Sequence, residues 1–126
     1  MEIFKIVTLS LSGLLLFSVG AMRLSNPIKA YLKNSGIKLD KDVDLLNEMR
    51  GLSSVMLFGG IIISLGTIIP DLTLTSHITA ILLFLGFAVG RMLSLGIDGK
   101  PNKQIIQGLV FELVFGALNV FCLVSI

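Results

Sequence analysis

Four long apolar stretches dominate the chain and restrict the folds that are open to it. They cover residues 3–24, 46–69, 74–97 and 105–124. Each has roughly the 20 residues that a helix needs to cross the hydrocarbon core of a bilayer. We therefore predict an all-α integral membrane protein, a four-helix bundle that forms a single domain over residues 1–126.

The composition agrees with lipid as the main solvent of the chain. Apolar residues make up 54% of the sequence and charged residues only 14%, whereas soluble domains are about 25% charged. Cys122 is the only cysteine, so an internal disulfide is excluded. His77 is the only histidine, which excludes a His-rich metal site or a bis-histidine haem within one chain.

Other function classes leave no mark on the sequence. There is no glycine-rich nucleotide-binding motif and no basic and aromatic surface of the kind that binds nucleic acid. We expect no cofactor, no bound metal and no nucleic-acid partner. His77 stands near Asp71 at the start of the third stretch, and we expect it to be a solvated loop residue.

The connection between the first two stretches predicts a short amphipathic helix. Ser25-Asn26-Pro27 has the residue types of a helix start, and Asn34-Ser35-Gly36 those of a helix end. An apolar stripe with lysines beside it suits a helix that lies on the membrane surface. These residues are Ile28, Tyr31 and Leu32 with Lys29 and Lys33. A plain solvated loop is the alternative.

The basic residues indicate which way the bundle is oriented. They gather between the first and second stretches and between the third and fourth, namely at Arg23, Lys29, Lys33, Lys38, Lys41, Lys100 and Lys103. The opposite side has Lys5 alone besides His77. By the positive-inside rule, both basic loops lie in the cytoplasm. We predict a multi-pass protein of the inner (plasma) membrane with both termini outside the cytoplasm.

Arg91 and Glu112 lie deep within the third and fourth apolar stretches, and their positions predict an ion pair. Arg91 precedes the turn near residues 99–102 by about ten residues, and Glu112 follows it by about ten, so both lie ~15 Å from the turn. A charge in hydrocarbon costs ~2.5–3.5 kcal/mol, which favours pairing the two side chains. The pair could be a structural clasp that fixes helix register, or part of a functional site.

Further polar residues are predicted at the same end of the bundle. Ser94 and Asp98 follow Arg91 on one helix face. The second stretch opens with polar residues, and the fourth carries a polar and small stripe along one face. We predict a polar pocket that opens to the cytoplasm or to the cytoplasmic leaflet, above an otherwise apolar bundle. Its predicted ligand-binding residues are Asn47, Glu48, Arg50, Ser54, Arg91, Ser94, Asp98, Glu112 and Asn119.

Plainer roles are open for several of these residues. Glu48 and Arg50 stand near a helix start and could be interfacial, with Arg50 extending its charge toward water. Asp98 could do no more than cap the turn that follows it. A plain structural role can explain each of these polar residues alone. It explains less well why all of them gather at one end of the bundle.

Three motifs carry a resemblance to a known family. They are Asn47-Glu48-Met49-Arg50-Gly51, Gly90-Arg91-x-x-Ser94-x-x-x-Asp98-Gly99-x-Pro101 and Glu112-x-x-x-Gly116. With them the chain resembles small bacterial four-helix membrane proteins known only as a domain of unknown function, which are distantly similar to DoxX-like proteins. The resemblance covers almost the whole chain and implies a four-helix bundle. It implies no reaction and no ligand.

Three functions remain open on the sequence. The favoured one is a membrane protein that binds a small anionic or lipid-like ligand, with Arg50 and Arg91 holding an anionic group. The second is an accessory or assembly subunit that contacts another membrane protein or a second copy. The third is a membrane isomerase that uses Glu48 or Glu112 as general acid or base.

Overall fold

The computed structural model describes the whole chain from Met1 to Ile126 and is built from helices joined by short connections. The helices are α1 (Glu2–Ser25), α2 (Pro27–Ser35), α3 (Val43–Leu65), α4 (Thr73–Ile97) and α5 (Lys103–Val124). One 3₁₀ turn, Pro70–Leu72, precedes α4, and there is no strand. The four longer helices are long and apolar enough to cross a membrane. The predicted all-α membrane bundle is confirmed, and the protein is multi-pass.

Local residue chemistry explains where α2 lies. Asn26 is the one residue between α1 and α2, and its side-chain oxygen accepts a hydrogen bond from the Lys29 backbone N–H at 3.3 Å. Pro27 fits the first turn, where no backbone N–H is needed. Gly36 ends the helix in the left-handed conformation, at φ +65°. The predicted short helix between the first two spans is confirmed.

The second span ends earlier than predicted. It was expected to continue to residue 69, but α3 ends at Leu65 and Gly66 is its C-cap. The amides of Thr67 and Ile68 then bond to carbonyls three residues back, so the chain tightens into turns before Pro70. Apolar residues in this turn lengthened the hydropathy signal beyond the helix, because hydropathy alone does not register where the helical hydrogen bonds stop.

Helices α1 and α3 lie in very close contact through glycines. A Cβ atom at Gly60 would come within 2.5 Å of the Phe17 backbone nitrogen, and one at Gly20 within 2.6 Å of the Leu57 nitrogen. Small residues at a helix contact let two backbones approach, which is a common way for helices to associate in lipid. Position 13 of α1 is also a glycine in this contact, facing Ser64.

The bundle has two ends that differ in what they hold. We call the end with α2 and the α4–α5 turn the α2 end, and the other the terminal end because both chain termini lie there. Helices α1 and α5 touch at the terminal end, where the rings of Phe4 and Phe121 lie 5.7 Å apart. Toward the α2 end the space between them widens into a cavity. A central apolar core separates the two ends and consists of Leu9, Leu16, Met56, Ile63, Ala80 and Phe84.

Candidate functional site

The cavity at the α2 end has a volume of about 240 Å³ and lies mainly between α1 and α5. Its inner wall is apolar and includes Leu16, Met56 and Phe84. Its polar groups come from four helices. They are Arg23, Asn34, Ser35, Arg91, Gln104, Gln107 and Glu112. The site therefore joins an apolar floor to a set of charged and amide side chains.

The predicted ion pair between α4 and α5 is present at this cavity. The Arg91 Nε donates to both carboxylate oxygens of Glu112, at 2.9 and 3.2 Å. The two side chains are 31% and 13% exposed. Because only Nε takes part in this contact, the terminal nitrogens of Arg91 remain for other acceptors.

A second arginine faces the cavity and has no carboxylate partner. Arg23 is only 8% exposed. Its Nη2 donates to the Ser35 hydroxyl at 2.9 Å, and its guanidinium lies 4.3 Å from the centre of the Tyr31 ring. Its Nη1 faces the Met56 sulfur, a weak acceptor, at 3.9 Å. The Arg23 Nε is buried without any partner in the protein.

The sequence predicts Arg23 only as a basic residue of the cytoplasmic loop. A signal for its true position exists, because Arg23 continues the spacing of Gly13 and Gly20 on the inner face of α1. The burial of that face is seen in Leu9, Leu16 and Gly20 as well as in Arg23. A long basic side chain near a helix end is usually expected to extend toward water. Here α2 folds over it and prevents that.

Helix α2 covers one end of the cavity, and hydrogen bonds hold its carboxyl end against α5. The Asn102 side-chain amide donates to the Ser35 carbonyl at 2.8 Å, and the Gln104 amide donates to the Lys33 carbonyl at 2.9 Å. Asn102 also caps α5 by accepting from the Ile105 backbone N–H at 2.9 Å. Asn102 thus both caps α5 and helps to hold α2 against it.

The structure brings few of the predicted ligand-binding residues together. Only Arg91 and Glu112 line the cavity. Arg50 instead donates to the carbonyls of Leu24 and Ser25 and so satisfies the end of α1. The others at this end of the bundle lie outside the cavity lining, at Asn47, Glu48, Ser54, Ser94 and Asp98.

Two of these predicted residues instead bond to each other. The Ser94 hydroxyl donates to the Asp98 carboxylate at 2.8 Å, near the end of α4. Asn47 and Glu48 are exposed in the first turns of α3. Sequence spacing predicts the end of α3 at which Asn47 and Glu48 lie, but not the direction in which each face of α3 points.

Asn119 lies at the other end of the bundle, in a separate polar cluster. It is 17 positions after Asn102, or ~25 Å along α5. Its Oδ1 lies 2.8 Å from His77 Nδ1, and its Nδ2 donates to the Ser12 hydroxyl at 3.1 Å and the Phe115 carbonyl at 2.8 Å. A carbonyl only accepts, so Nδ2 must face Phe115 and His77 Nδ1 must carry the proton that Asn119 accepts.

This cluster overturns two expectations from the sequence. His77 is not in a solvated loop: α4 begins at Thr73, and the His77 side chain is fully buried at 0% exposure. The terminal half of the bundle is not purely apolar either. His77, Phe84 and Arg91 are spaced by seven, so they share the buried face of α4. That spacing was the signal for the position of His77.

The two clusters differ in the chemistry that they offer. The α2-end cavity holds two guanidinium groups, one carboxylate and several amides, so hydrogen-bond donors outnumber acceptors. Such a site suits an oxyanion, which accepts charge-assisted hydrogen bonds. No three His, Cys, Asp or Glu side chains come together in a way that would hold a metal ion.

Comparison with known proteins gives one match. No curated protein and no solved structure matches this chain. The family model described as "Domain of unknown function (DUF4345)" matches residues 3–123, which is nearly the whole chain. The helices, the cavity and the terminal cluster all lie within the matched range, and the protein belongs to the DUF4345 family.

Proposed function

We propose that the α2-end cavity binds a small anionic or lipid-like ligand through its oxyanion. The observation that carries this proposal is Arg23, a guanidinium that is buried beside the cavity with no carboxylate to pair with. An isolated buried charge is costly, and it is normally paired or shifted toward neutrality. Arginine stays protonated in proteins. The Ser35 hydroxyl and the Tyr31 ring give Arg23 only neutral partners, so an anion would stabilise its charge further.

The charges around the cavity agree with a ligand that carries a negative charge. Arg23 and Arg91 contribute two positive charges, and Glu112 contributes one negative charge. The lining thus has a net charge of +1, and a monoanion would neutralise it. Arginine is suited to this task because its planar fork of N–H groups matches carboxylate and phosphate geometry.

Buried donors without partners gather at the same place. Arg23 Nε and Asn34 Nδ2 are such donors on residues that line the cavity. A third, the Tyr31 hydroxyl, is on the residue whose ring packs against Arg23. Buried polar groups are nearly always hydrogen-bonded, so a group of unpaired donors beside one cavity calls for an explanation. An acceptor-rich group such as a carboxylate or phosphate would supply their partners.

The proposed binding is tested by comparing arginines inside and outside the cavity. Native mass spectrometry of the protein in phosphatidylcholine nanodiscs would measure occupancy by butyrate, inorganic phosphate, hexadecanoate and hexadecyl phosphate. Arg23→Gln should weaken the affinity for every anion that binds to the wild type by at least about tenfold, since a hydrogen bond to a charged group is worth ~1.5–3 kcal/mol. Arg23→Lys keeps the charge and should retain part of the binding.

Arg50→Gln is the matched control. Arg50 lies at the same end but contacts α1 carbonyls instead of lining the cavity. Its replacement should leave occupancy unchanged in protein that still unfolds at the wild-type temperature. If none of the four anions shows binding that depends on Arg23, the proposed function is wrong.

The proposed orientation places the α2 end, and so the cavity, toward the cytoplasm. The basic loops at that end support this assignment through the positive-inside rule. A periplasmic reporter enzyme fused after Ile126 should be active, and the same fusion placed in the connection at residues 37–41 should not. Activity of the second fusion alone would invert the orientation. A bacterial inner-membrane location and a distant similarity to DoxX-like proteins remain predictions.

A second candidate function is supported by one helix face. Gly86 and Gly90 of α4 are exposed, and a Cβ atom at either position would meet no other atom within 4 Å. This four-residue spacing is typical of helix contacts in lipid. It favours a role as an accessory subunit that packs α4 against a partner helix. The isomerase alternative has no such support, because Glu112 is engaged by Arg91 and Glu48 lies outside the cavity.

A further inference from the structure

We infer that the ligand is a membrane amphiphile that enters the cavity sideways from the lipid, through the gap between α1 and α5. The inference rests on the proposed anion binding at Arg23 and narrows the ligand to a class. The ligand would carry one oxyanion head, a carboxylate or a phosphate, on a single slender apolar chain. A water-soluble anion would need a different route, from the aqueous phase.

The gap between α1 and α5 is closed at one end only. At the terminal end, the Phe4 and Phe121 rings are in edge-to-face contact and Asn119 donates to the Ser12 hydroxyl. Toward the α2 end the cavity itself lies between the two helices, with Leu15 and Val19 of α1 on one side. The helices therefore diverge, and the cavity fills the space that divergence leaves.

On the α5 side, the gap is open toward the hydrocarbon core of the membrane. Phe111 of α5 lines the cavity and is 58% exposed. It is nine positions after Asn102, so it lies ~13 Å from the start of α5, well inside the apolar span. Gly108 also lines the cavity, and a Cβ atom there would meet no atom within 4 Å. The opening thus faces acyl chains instead of water.

Helix α2 covers part of the aqueous end of the cavity, which the exposed side chains of Gln104 and Gln107 also border. Helix α2 lies over Arg23 and is fastened to α5 by the hydrogen bonds from Asn102 and Gln104. Gly36 adopts φ +65° directly against the Gln104 and Asn102 side chains, which allows the chain to stay close to α5 after α2 ends. Entry from water through the α2 side would have to break these contacts, whereas entry past Phe111 leaves the hydrogen bonds between α2 and α5 intact.

The size of the cavity limits how much of the ligand it can enclose. Its volume of about 240 Å³ is below the ~300–1,000 Å³ typical of pockets that enclose drug-sized ligands. A head group and the first part of a chain fit, and a whole phospholipid does not. The remaining chain would lie in the gap, against Leu15, Val19 and Phe111. Gln104 and Gln107 border the cavity nearer to the α2 end, where a polar head would sit.

A substitution that fills the gap tests the route directly. Gly108→Leu places a side chain in open space within the gap, and leucine also favours helix over glycine, so folding should be retained. Gly96→Leu is the matched control. Gly96 stands six positions before Asn102, as Gly108 stands six after it, and is equally free of neighbours, but it lines neither the cavity nor its opening.

The readout is photochemical labelling by hexadecanoate with a diazirine at mid-chain, in phosphatidylcholine nanodiscs. We expect labels to concentrate on peptides that contain Leu15, Val19 or Phe111. Gly108→Leu should reduce this labelling at least fivefold and Gly96→Leu should not, with both variants unfolding at the wild-type temperature. Comparison of hexadecanoate with butyrate, and of hexadecyl phosphate with inorganic phosphate, separates a lipid source from a free anion.

The possible failures are distinguishable. Labels spread evenly over lipid-facing helices and unchanged by Gly108→Leu would overturn lateral entry. Butyrate or phosphate could bind in a way that depends on Arg23 while hexadecanoate does not label the gap between α1 and α5. That result would overturn the amphiphile as the ligand and leave anion binding intact. Loss of any dependence on Arg23, for all probes, would remove the proposed function and this inference together.

Discussion

The two polar clusters of the bundle are buried in similar surroundings but are satisfied in different ways. At the terminal end, His77, Asn119 and Ser12 come from three helices and bond to one another at 0% exposure. At the α2 end, Arg91 is paired with Glu112, yet Arg23 has no countercharge and a cavity lies beside it. The terminal cluster leaves only the His77 Nε2 lone pair without a partner.

On the proposed function, this difference separates polar groups that stabilise the fold from polar groups that bind a ligand. A neutral network whose members bond to each other fixes how three helices meet, and it leaves no room for another molecule. A surplus positive charge beside a cavity does the opposite, because the protein alone does not complete its interactions. Sites that bind ligands often sacrifice stability in this way.

Removal of Glu112 should have the largest effect on stability. In Glu112→Leu, Arg91 would join Arg23 as a second unpaired positive charge at the same cavity. Breaking a buried pair costs ~3–5 kcal/mol, and because the Arg91 side chain is 31% exposed we expect about 2–3 kcal/mol. Denaturant unfolding in detergent measures this as a lower free energy of unfolding.

The charge-swapped double variant is the control for that loss. Arg91→Glu with Glu112→Arg should recover much of what either single change loses, since the opposite charges remain together. A double variant as damaged as the worse single one would mean that the geometry of the pair matters more than its charge. If Glu112→Leu is as stable as the wild type, the ion pair does not distinguish the α2 end from the terminal end.

Removal of Asn119 should have an intermediate effect. Asn119→Leu leaves the His77 Nδ1–H and the Ser12 hydroxyl without their partner, at a cost of ~1–3 kcal/mol for buried groups in general. Interhelical hydrogen bonds in a membrane protein contribute up to ~1.7 kcal/mol, so about 1–2 kcal/mol is expected. A double-mutant cycle with His77→Phe would isolate the coupling. Additive losses would show that the cluster does not act as a unit.

Replacement of Arg23 should change stability least. An apolar residue of similar length in place of a buried charge is often neutral or stabilising, so Arg23→Met should stay within about 1 kcal/mol of the wild type. The stabilisation that added hexadecanoate gives to the wild type should be lost in this variant, as measured by unfolding with and without the fatty acid. A loss of stability as large as that of Asn119→Leu would make Arg23 a structural residue and erase the contrast between the ends.

The shared depth of Arg91 and Glu112 was predictable from the sequence, whereas the lateral direction of Arg50 was not. Arg91 and Glu112 were expected to pair because both lie at the same distance from one short turn, and they do. The direction of Arg50 depends on how α3 is rotated against α1, and no turn fixes that rotation. The divergence of α1 from α5 is likewise invisible in sequence, because these helices are not neighbours along the chain.

The residues that were missed or misplaced share a simple physical cause. Arg23 and His77 each stand within a turn or two of a helix end, where solvation is the ordinary expectation. Helix α4 begins before His77, and α2 folds over Arg23. Both side chains are therefore enclosed. Asn119 was assigned to the correct face of α5, but the polar stripe of that face extends through both ends of the bundle, so the face did not specify the end.

The glycine contact between α1 and α3 has a mechanical consequence. With the two backbones touching at Gly20 and Gly60, neither helix can slide without the other. Helices α4 and α5 are likewise joined, through Arg91 with Glu112 and the stacked rings of Phe84 and Phe115. On the proposed function, a larger ligand would therefore require a change in the angle between the two helix pairs, with the pivot near the chain termini. No single helix would move alone.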